Sequence, residues 1–461
     1  MENEKYVTVI PVEYPRPGRL YPHPPHQYHD FIEKDAHEKA NSQNLNYHEH
    51  SGTVHRIFVP TKHESCSANE FDNSRPDYQG QDSSQNLRVC IYLMNDVVLQ
   101  MELEDGKNTS ASDLVQCIFK LEELQLNECA KDIFALWMSS NLLELQLKPF
   151  HKPLLVRSKW MNLLSRFAHA SPSRQLRDEP ILSFQRNVFY SLNDEQKLTD
   201  LGVLELLYEE AKCNILEGRY PCDVSQYTML GGIQARLELG PYNTQVHSNK
   251  YLRSQKNRFL PVYARHDPIT SWLRSRMKNS AEVRLLEHYK KIPSNASERV
   301  LQRRYLEVCW SFPFYGCAFF QGQIEEPVRG LTSLLLHQDM PILVGINERG
   351  IYVIDNNDAK LLLGLKYEEF SWELGKPNKQ NYESLSCIFI QFVITENGAR
   401  VSKLMQIFSK QADMMDALIS TFVAQIKEKM CSSPSDELDG FKNSNPSGHC
   451  IGQMGSLKFI Y

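Results

Sequence analysis

Two neighbouring stretches early in the chain alternate apolar and polar side chains with a period of two residues. They are Leu87–Leu93 and Val97–Leu103, and a turn, Met94-Asn95-Asp96, lies between them. This period is typical of strands that bury one face, so the pair predicts a hairpin. Apolar residues then recur at helical spacing over 114–119, and "IFALWM" and "LLELQLKPF" predict two further strands. The pattern indicates a mixed lobe with a hairpin, a helix and more strands.

From about residue 175 the apolar period changes to 3.6 residues, which is typical of helices. Gly218 is placed to end the first helix, and Asp223 is placed to cap the next. Further helical stretches are predicted over 269–292 and 295–311, so this region is expected to be all-helical. The first helix is predicted to bury one face, formed by Leu201, Leu204, Leu207, Tyr208, Ala211 and Ile215.

After Gly316 the period returns to two. Seven short strands are predicted, in "CAFFQGQI", "PILVGIN", "GIYVID", "KLLLGLKY", "FSWEL", "CIFIQFVI" and "KLMQIF". Residues 347–350, Asn-Glu-Arg-Gly, predict a hairpin turn. One amphipathic helix is predicted over 410–429. Antiparallel strands followed by one helix are the pattern of a pleckstrin-homology or phosphotyrosine-binding sandwich.

The aromatic stretch "WSFPFYGCAFFQG", residues 310–322, lies where the period changes. Trp310 is expected to end a helix, and Pro313 to stop it. Tyr315 and Gly316 follow, and the glycine gives the backbone freedom to turn. We interpret the stretch as a joint between two lobes, rather than as a cleft around Cys317 or a membrane-inserting wedge.

Composition and charge indicate a folded cytosolic protein. The chain has 461 residues with 41% hydrophobic content, and its formal net charge of −5 does not favour nucleic-acid binding. The eleven cysteines form no C-x-x-C pair, which is typical of reduced thiols. The first residues lack the pattern of a secretory signal, and no apolar run is long enough to predict a membrane span.

Both ends of the chain have a different composition and are expected to be disordered. Residues 1–85 are rich in proline and histidine, and 431–461 are polar. The run His23, His26, His29 could bind a metal, and the prolines could form a polyproline ligand; we favour a solvated tail, because Pro24 and Pro25 prevent a helical face. No metal site and no cofactor are predicted.

Several motifs resemble those of the FERM domain family. They are "LLYEEAKCNILEGRYPCDV", "LGGIQARLELGPYN" and the Tyr-Gly of the joint. Other segments, among them "DIFALWMSSNLLELQLKP" and "DEPILSFQRNVFY", are similar to the iRhom-binding and Wnt co-receptor-binding type within that family. The Krev-interaction-trapped type is a more distant likeness, through "FALW" and "QLKP".

The resemblance implies an α+β multi-lobe fold, the FERM cloverleaf. The expected parts are a ubiquitin-like β-grasp lobe over 86–170, an all-α, acyl-CoA-binding-protein-like lobe over 171–314, and a PH/PTB-like sandwich with a C-terminal helix over 315–430. It also implies a non-catalytic scaffold, peripheral at the inner face of the plasma membrane, that binds cytoplasmic tails of transmembrane proteins.

Two partner classes are implied by the resemblance: iRhom pseudoproteases, in their complex with the TNF-α-converting enzyme, and the LRP-type Wnt co-receptor. The alternatives are a junctional scaffold that binds a Rap-like small GTPase and a phosphoinositide-binding linker to the cytoskeleton. The linker is disfavoured, because only about thirty residues follow the final helix and no long coiled helix is among them.

The strand "FSWELG" and the final helix are expected to form a peptide groove, since an extended peptide can add to the edge of such a sandwich. Some helix residues are expected to line the groove floor, while others pack inward. The candidates are Phe370, Ser371, Trp372, Glu373, Met415, Leu418, Ile419 and Phe422.

A second candidate surface is basic. Between Lys250 and Arg304 there are fourteen Lys or Arg and four Asp or Glu. Such a patch could bind anionic phospholipid or an acidic partner, or it could be a solvated helix face with internal pairs. Its densest part is Arg274, Arg276, Lys278, Lys290 and Lys291.

Catalytic motifs are weak. "GHCIGQMG", residues 448–455, imitates a tyrosine-phosphatase loop, but position 456 is Ser where that chemistry needs an arginine. Cys317 is predicted to be a small core residue rather than a nucleophile. No phosphate-binding loop, zinc motif or nucleophile elbow is present, so we expect no catalytic residues.

Overall fold

A computed structural model describes residues 54–59, 87–265, 280–325, 339–376 and 385–432, except positions 96, 104, 125, 128 and 129; for 54–59 it describes only the backbone. The predicted C-terminal tail beyond Ser432, most of the N-terminal tail and "GHCIGQMG" lie outside these residues. The chain divides into two compact units. The first comprises the residues up to Met161 together with Leu176–Gln185, and the second comprises Asn162–Gln175 and the residues from Arg186 onward.

The first unit is built on one mixed sheet with strand order β1-β3-β2-β6-β4-β5. β2 and β3 form the predicted antiparallel hairpin, and β6 pairs parallel to β2. Helix α1 begins at a capping box in which Ser110 and Asp113 bond reciprocally. The elements are β1 Val54–Val59, β2 Leu87–Leu93, β3 Val98–Leu103, α1 Ala111–Phe119, a 3₁₀ turn Glu122–Leu124, β4 Phe134–Ser139, β5 Glu144–Gln146, α2 Pro153–Ser158 and β6 Ile181–Arg186.

Two strands of this sheet differ from the sequence expectations. β6 belongs to the first sheet, although the limit of the first lobe was predicted at residue 170. The alternation of apolar and polar residues in its sequence covers only Leu182 to Gln185, and its side chains are buried from Leu182 to Arg186. β1 pairs parallel to β3 inside the range predicted to be disordered. Its sequence, VHRIFV, is rich in β-branched and aromatic residues, which favour strands. Six residues are too few to change the overall composition of residues 1–85, on which the prediction of disorder was based.

The second unit contains the predicted helical region. Asp223 caps α7 through a capping box with Gln226, and Gly218, at φ +79°, follows the end of α6. Leu201, predicted to be buried, is 50% exposed because it is the first residue of its helix. The helices are α3 Trp160–Phe167, which continues from the first unit, α4 Pro172–Gln175, α5 Leu192–Glu195, α6 Leu201–Leu216, α7 Val224–Leu239, α8 Asn249–Ser254, α9 Lys256–Phe259, α10 Val262–Arg265, α11 Ala281–Lys291 and α12 Glu298–Trp310.

All seven strands predicted after Gly316 form one antiparallel sheet, with the order β10-β9-β8-β7-β13-β12-β11. The last helix, α13, packs on β8, β11 and β12. Its elements are β7 Ala318–Glu325, β8 Asp339–Asn347, β9 Gly350–Asp355, β10 Lys360–Lys366, β11 Phe370–Gly375, β12 Cys387–Glu396, β13 Ala399–Phe408 and α13 Ala412–Ser432.

The stretch that joins α12 to β7 is held by a buried ion pair. Glu195 is fully buried and accepts hydrogen bonds from Arg186 Nε at 2.6 Å, Trp310 Nε1 at 2.8 Å and Tyr315 Oη at 2.5 Å. Gly316 has a φ of +69°, and a Cβ there would lie 2.6 Å from Arg186 Nη1. The tight packing and the positive φ together require glycine at this position.

Candidate peptide-binding site

The strand predicted to bind a peptide lies at the end of its sheet. β11 pairs with β12 from Phe370 to Gly375, and within the part of the chain that the structure describes no strand pairs with its other side. An outer strand offers its unpaired N–H and C=O groups to a further strand. This position is the geometry that strand addition requires.

The predicted groove residues fall into two groups. Five of them are at most 4% exposed and belong to the core: Phe370, Trp372, Met415, Ile419 and Phe422. Ser371, Glu373 and Leu418 are half-buried. Alternation along β11 and the 3.6-residue period of α13 explain this division. Of the predicted residues, only these three are outside the core.

The side of α13 beside β11 is acidic. Asp416 Oδ1 accepts a hydrogen bond from Trp372 Nε1 at 2.9 Å, and Asp413 forms an ion pair of 3.9 Å with Lys376, which follows β11. Because a helix turns about 100° per residue, Leu418 points about 200° away from Asp416. Leu418 therefore does not lie beside β11, whereas the same geometry puts Ser420, one turn after Asp416, on the side of the helix that Asp416 occupies. The 3.6-residue period of apolar residues in the sequence does not show which side of the helix faces β11.

Glu373 places a carboxylate on the half-buried side of β11. Its Oε2 atom is covered from water and has no hydrogen-bond partner among the described residues. A covered carboxylate oxygen without a donor is unfavourable, because the oxygen has lost its water without gaining another partner.

The start of α13 is fixed by the end of α3 and the segment that follows it. Lys410 N–H donates to His169 Nε2 at 2.9 Å, and Arg166 Nη2 contacts Asp413 Oδ2 at 3.2 Å. Partial burial and, to a smaller extent, the charge of Lys410 lower the pKa of His169. The lowered pKa suits the geometry, because a ring nitrogen must be unprotonated to accept the Lys410 N–H.

A cavity of about 430 Å³ lies beside the C-terminal half of α13 and was not predicted from the sequence. Helix residues on one face line it, and the opposite wall comes from the 189–196 segment and the β8–β9 turn. The residues around it are Phe189, Ser191, Leu192, Asn193, Gln196, Trp310, Glu348, Arg349, Phe422, Gln425, Ile426 and Lys429. The wall is anchored where Leu192 N–H donates to Glu348 Oε1 at 2.8 Å.

The predicted basic patch is described only in part. Lys290 and Lys291 are exposed in the last turn of α11, and Lys290 Nζ lies 5.4 Å from the ring centroid of Tyr242. Arg274, Arg276 and Lys278 lie outside the described residues. Of the five predicted patch residues, the structure therefore describes only Lys290 and Lys291.

Burial raises the pKa of the Cys317 thiol well above its usual value, which makes a reactive thiolate unfavourable. The described residues contain no group of three or more His, Cys, Asp or Glu that could hold a metal ion. No helix among them is long and apolar enough to cross a bilayer.

Comparison with known families identifies two parts of the chain. Residues 193–320 match the model of the FERM central domain, and residues 340–418 match the model described as KRIT1/FRMD8, FERM domain C-lobe. A solved structure, the FERM and C-terminal domain complex of Drosophila Merlin, is 15% identical with a TM-score of 0.45, over 75% of this chain and 100% of that one.

Comparison with curated proteins gives relatives over most of the chain. FERM domain-containing protein 8 of Xenopus laevis is 37% identical over 77% of this chain and 79% of its own length. The Mus musculus protein of that name is 39% identical over 72% of each chain, and the Homo sapiens protein is 36% identical over 78% of each. The multi-lobe α+β fold, the matched regions and these relatives lead to one conclusion: the chain belongs to the FERM domain family, in the part of it that includes FERM domain-containing protein 8.

Proposed function

We propose that this FERM scaffold binds the cytoplasmic tails of transmembrane proteins by adding an extended segment of each tail to β11. The observation that carries the proposal is the position of β11 at the end of its sheet, with α13 packed beside it. Main-chain hydrogen bonds to β11 would supply affinity, and the side chains of β11 and α13 would supply specificity.

The acidic side of α13 indicates which tails fit. Asp413 and Asp416 flank the strand, and Glu373 leaves one carboxylate oxygen without a donor among the described residues. A tail with a basic side chain near Glu373 and Asp416 would complement the charge of these carboxylates. Complementary charges contribute mainly to the association rate and to specificity.

Two partner classes are proposed from the family resemblance. One is the cytoplasmic region of an iRhom pseudoprotease, whose complex with the TNF-α-converting enzyme the scaffold would stabilise at the inner face of the plasma membrane. The other is the tail of the LRP-type Wnt co-receptor, where binding would reduce Wnt signalling.

The direct test measures both tails against the full chain and a pair of helix variants. Ser420→Arg places a long side chain beside β11, whereas Ala424→Arg, one turn further along, places the same side chain at an exposed position. We expect Ser420→Arg to weaken tail binding by about tenfold, equivalent to about 1.4 kcal/mol, and Ala424→Arg to change it less than about twofold.

Equal effects of the two variants would exclude β11 as the binding strand. Trp372→Ala is a poor test, because Trp372 is buried and bonded to Asp416, so its loss would disturb the fold. If neither tail binds the unmodified chain, the partner assignment is wrong, and a GTP-dependent interaction with a Rap-like GTPase becomes the function to test.

A further inference from the structure

The cavity beside the C-terminal half of α13 has an apolar floor. Phe189 and Phe422 lie with their ring centroids 5.3 Å apart, and Trp310 and Ile426 also line the space. Phe189 is 39% exposed, although an aromatic ring of this size is usually more covered. Phe422 and Trp310 are at most 4% exposed, so Phe189 and Ile426 supply the apolar surface of the floor that a ligand side chain could cover.

Neutral hydrogen-bonding groups surround this floor. The side-chain amides of Asn193, Gln196 and Gln425 line the cavity, and none has a protein partner in the part of the chain that the structure describes. Ser191 lies at the start of α5 without a side-chain capping bond. Amides supply both donors and acceptors, so they suit the main chain of an extended peptide.

The charge of the lining is positive. Arg349 and Lys429 contribute two cations, and Glu348 contributes the one carboxylate of the lining, already engaged by Leu192 N–H. Arg349 donates through Nη2 to the Phe312 carbonyl at 2.7 Å, and its Nε has no hydrogen-bond partner among the described residues. Cations beside an apolar floor are complementary to carboxylates that flank an apolar side chain.

The walls of the cavity are fixed before any ligand arrives. The buried pair Arg186–Glu195 holds α5, and Asn347 Nδ2 donates to the carbonyls of Pro313 and Tyr315 at 3.0 and 2.9 Å, which fixes the β8–β9 turn. A preformed site loses little conformational entropy when it binds. Its volume of about 430 Å³ is within the range of about 300–1,000 Å³ typical of ligand pockets.

We propose that this cavity is a second peptide-binding site, which takes a short acidic segment of a partner protein with an apolar side chain between its carboxylates. The site lies on the opposite side of α13 from Ser420, because Lys429 is about 180° from Ser420 around the helix. The scaffold would thus hold a membrane-protein tail at β11 and an acidic partner in the cavity at the same time.

The test uses a fluorescein-labelled octapeptide, Ser-Pro-Ser-Asp-Glu-Leu-Asp-Gly, whose sequence is that of residues 433–440 of this chain. The matched control peptide carries Asn, Gln and Asn in place of its acids. Binding is measured by fluorescence anisotropy on the full chain, and also on a full chain with Asp436→Asn, Glu437→Gln and Asp439→Asn, which removes the acidic groups that could compete from within the molecule.

Two charge reversals on α13 locate the binding. Lys429→Glu changes the cavity lining, and Lys427→Glu makes the same change of charge at an exposed position outside it. We expect Lys429→Glu to weaken binding of the acidic peptide by about tenfold, and Lys427→Glu by less than about threefold, because salt screens charges more than about 8–10 Å apart. The amide peptide should bind at least about tenfold more weakly than the acidic one.

Equal weakening by the two reversals would overturn the proposal, since the peptide would then respond only to overall charge. Absence of binding to both forms of the chain would also overturn it. If the peptide binds only the form with the neutralised 436–439 segment, the cavity recognises acidic peptide, but its occupant is this chain and not a partner. Ser420→Arg should leave binding of the octapeptide unchanged, which separates a failure here from a failure of the β11 proposal.

Discussion

The two halves of α13 carry the same pattern of side chains but are covered by different surroundings. In the N-terminal half, Met415 and Ile419 are fully buried in the core of the second unit. In the C-terminal half the stripe continues through Phe422 and Ile426, and these residues line a cavity together with Lys429 on the same face. An apolar stripe therefore shows which face of a helix turns inward, whereas the extent of the neighbouring elements decides whether that face becomes core or site.

The largest effect on stability is expected at the buried ion pair that supports the cavity beside the C-terminal half of α13. Glu195→Gln removes the charge that pairs with Arg186, and loss of one partner of a buried pair typically costs about 3–5 kcal/mol. We expect the free energy of unfolding, measured by denaturant titration, to fall by about 4 kcal/mol.

The control for this prediction is the exposed pair one residue earlier. Asp194 and Lys197 lie 2.8 Å apart with both side chains largely in water, so Asp194→Asn should change stability by less than about 1 kcal/mol. Similar losses in the two variants would show that the Glu195 network does not stabilise the joint.

A direct comparison of the two halves comes from truncating one isoleucine in each. Ile419→Ala leaves a cavity in a packed core and should lower the free energy of unfolding by about 3 kcal/mol. Ile426→Ala enlarges an existing cavity and should lower it by about 1 kcal/mol. Equal losses in thermal or denaturant unfolding would mean that both halves of α13 are packed alike.

Charge reversal on α11 tests the alternative that the chain binds anionic phospholipid through its basic patch, which lies outside α13. Lys290→Glu with Lys291→Glu should weaken binding to vesicles of anionic phospholipid by about 1 kcal/mol for each cation removed, as measured by flotation. Tail binding at β11 should not change. Flotation that is identical with and without anionic lipid would exclude the basic patch as a membrane contact.

The smallest effect is expected from pH at the start of α13. The folded pKa of His169 lies below its unfolded value, so the contribution of this group to stability is complete above pH 6.5 and is lost as the pH falls below that value. His169→Gln keeps an acceptor for Lys410 N–H without titrating. The wild type should therefore lose more stability than this variant between pH 7.5 and 5.5; equal losses would show that His169 titrates normally.

Much of the fold could be predicted because its elements keep a regular period. The seven strands after Gly316 alternate clearly, and Asp223 begins a helix as expected. β6 was missed because the alternation of apolar and polar residues in its sequence covers only Leu182 to Gln185. Its parallel pairing with β2 also joins segments about ninety residues apart, and no local pattern reports such a contact.

The candidate site was predictable in outline only. The sequence correctly identified β11 and α13 as neighbours, but the side of the helix that faces the strand depends on a tertiary contact, Trp372 with Asp416. The cavity could not be predicted, because Phe189, Arg349 and Lys429 come together only after folding. The unpaired oxygen of Glu373 is likewise a consequence of packing.

The central claim is that a tail lies along β11 as an added strand. Hydrogen exchange on the full chain, with and without a saturating iRhom cytoplasmic region, measures this at the amides concerned. We expect slower exchange within Phe370–Gly375 on binding, with smaller changes in β10, the strand at the other end of the sheet. Unchanged exchange in β11 together with protection elsewhere would contradict it.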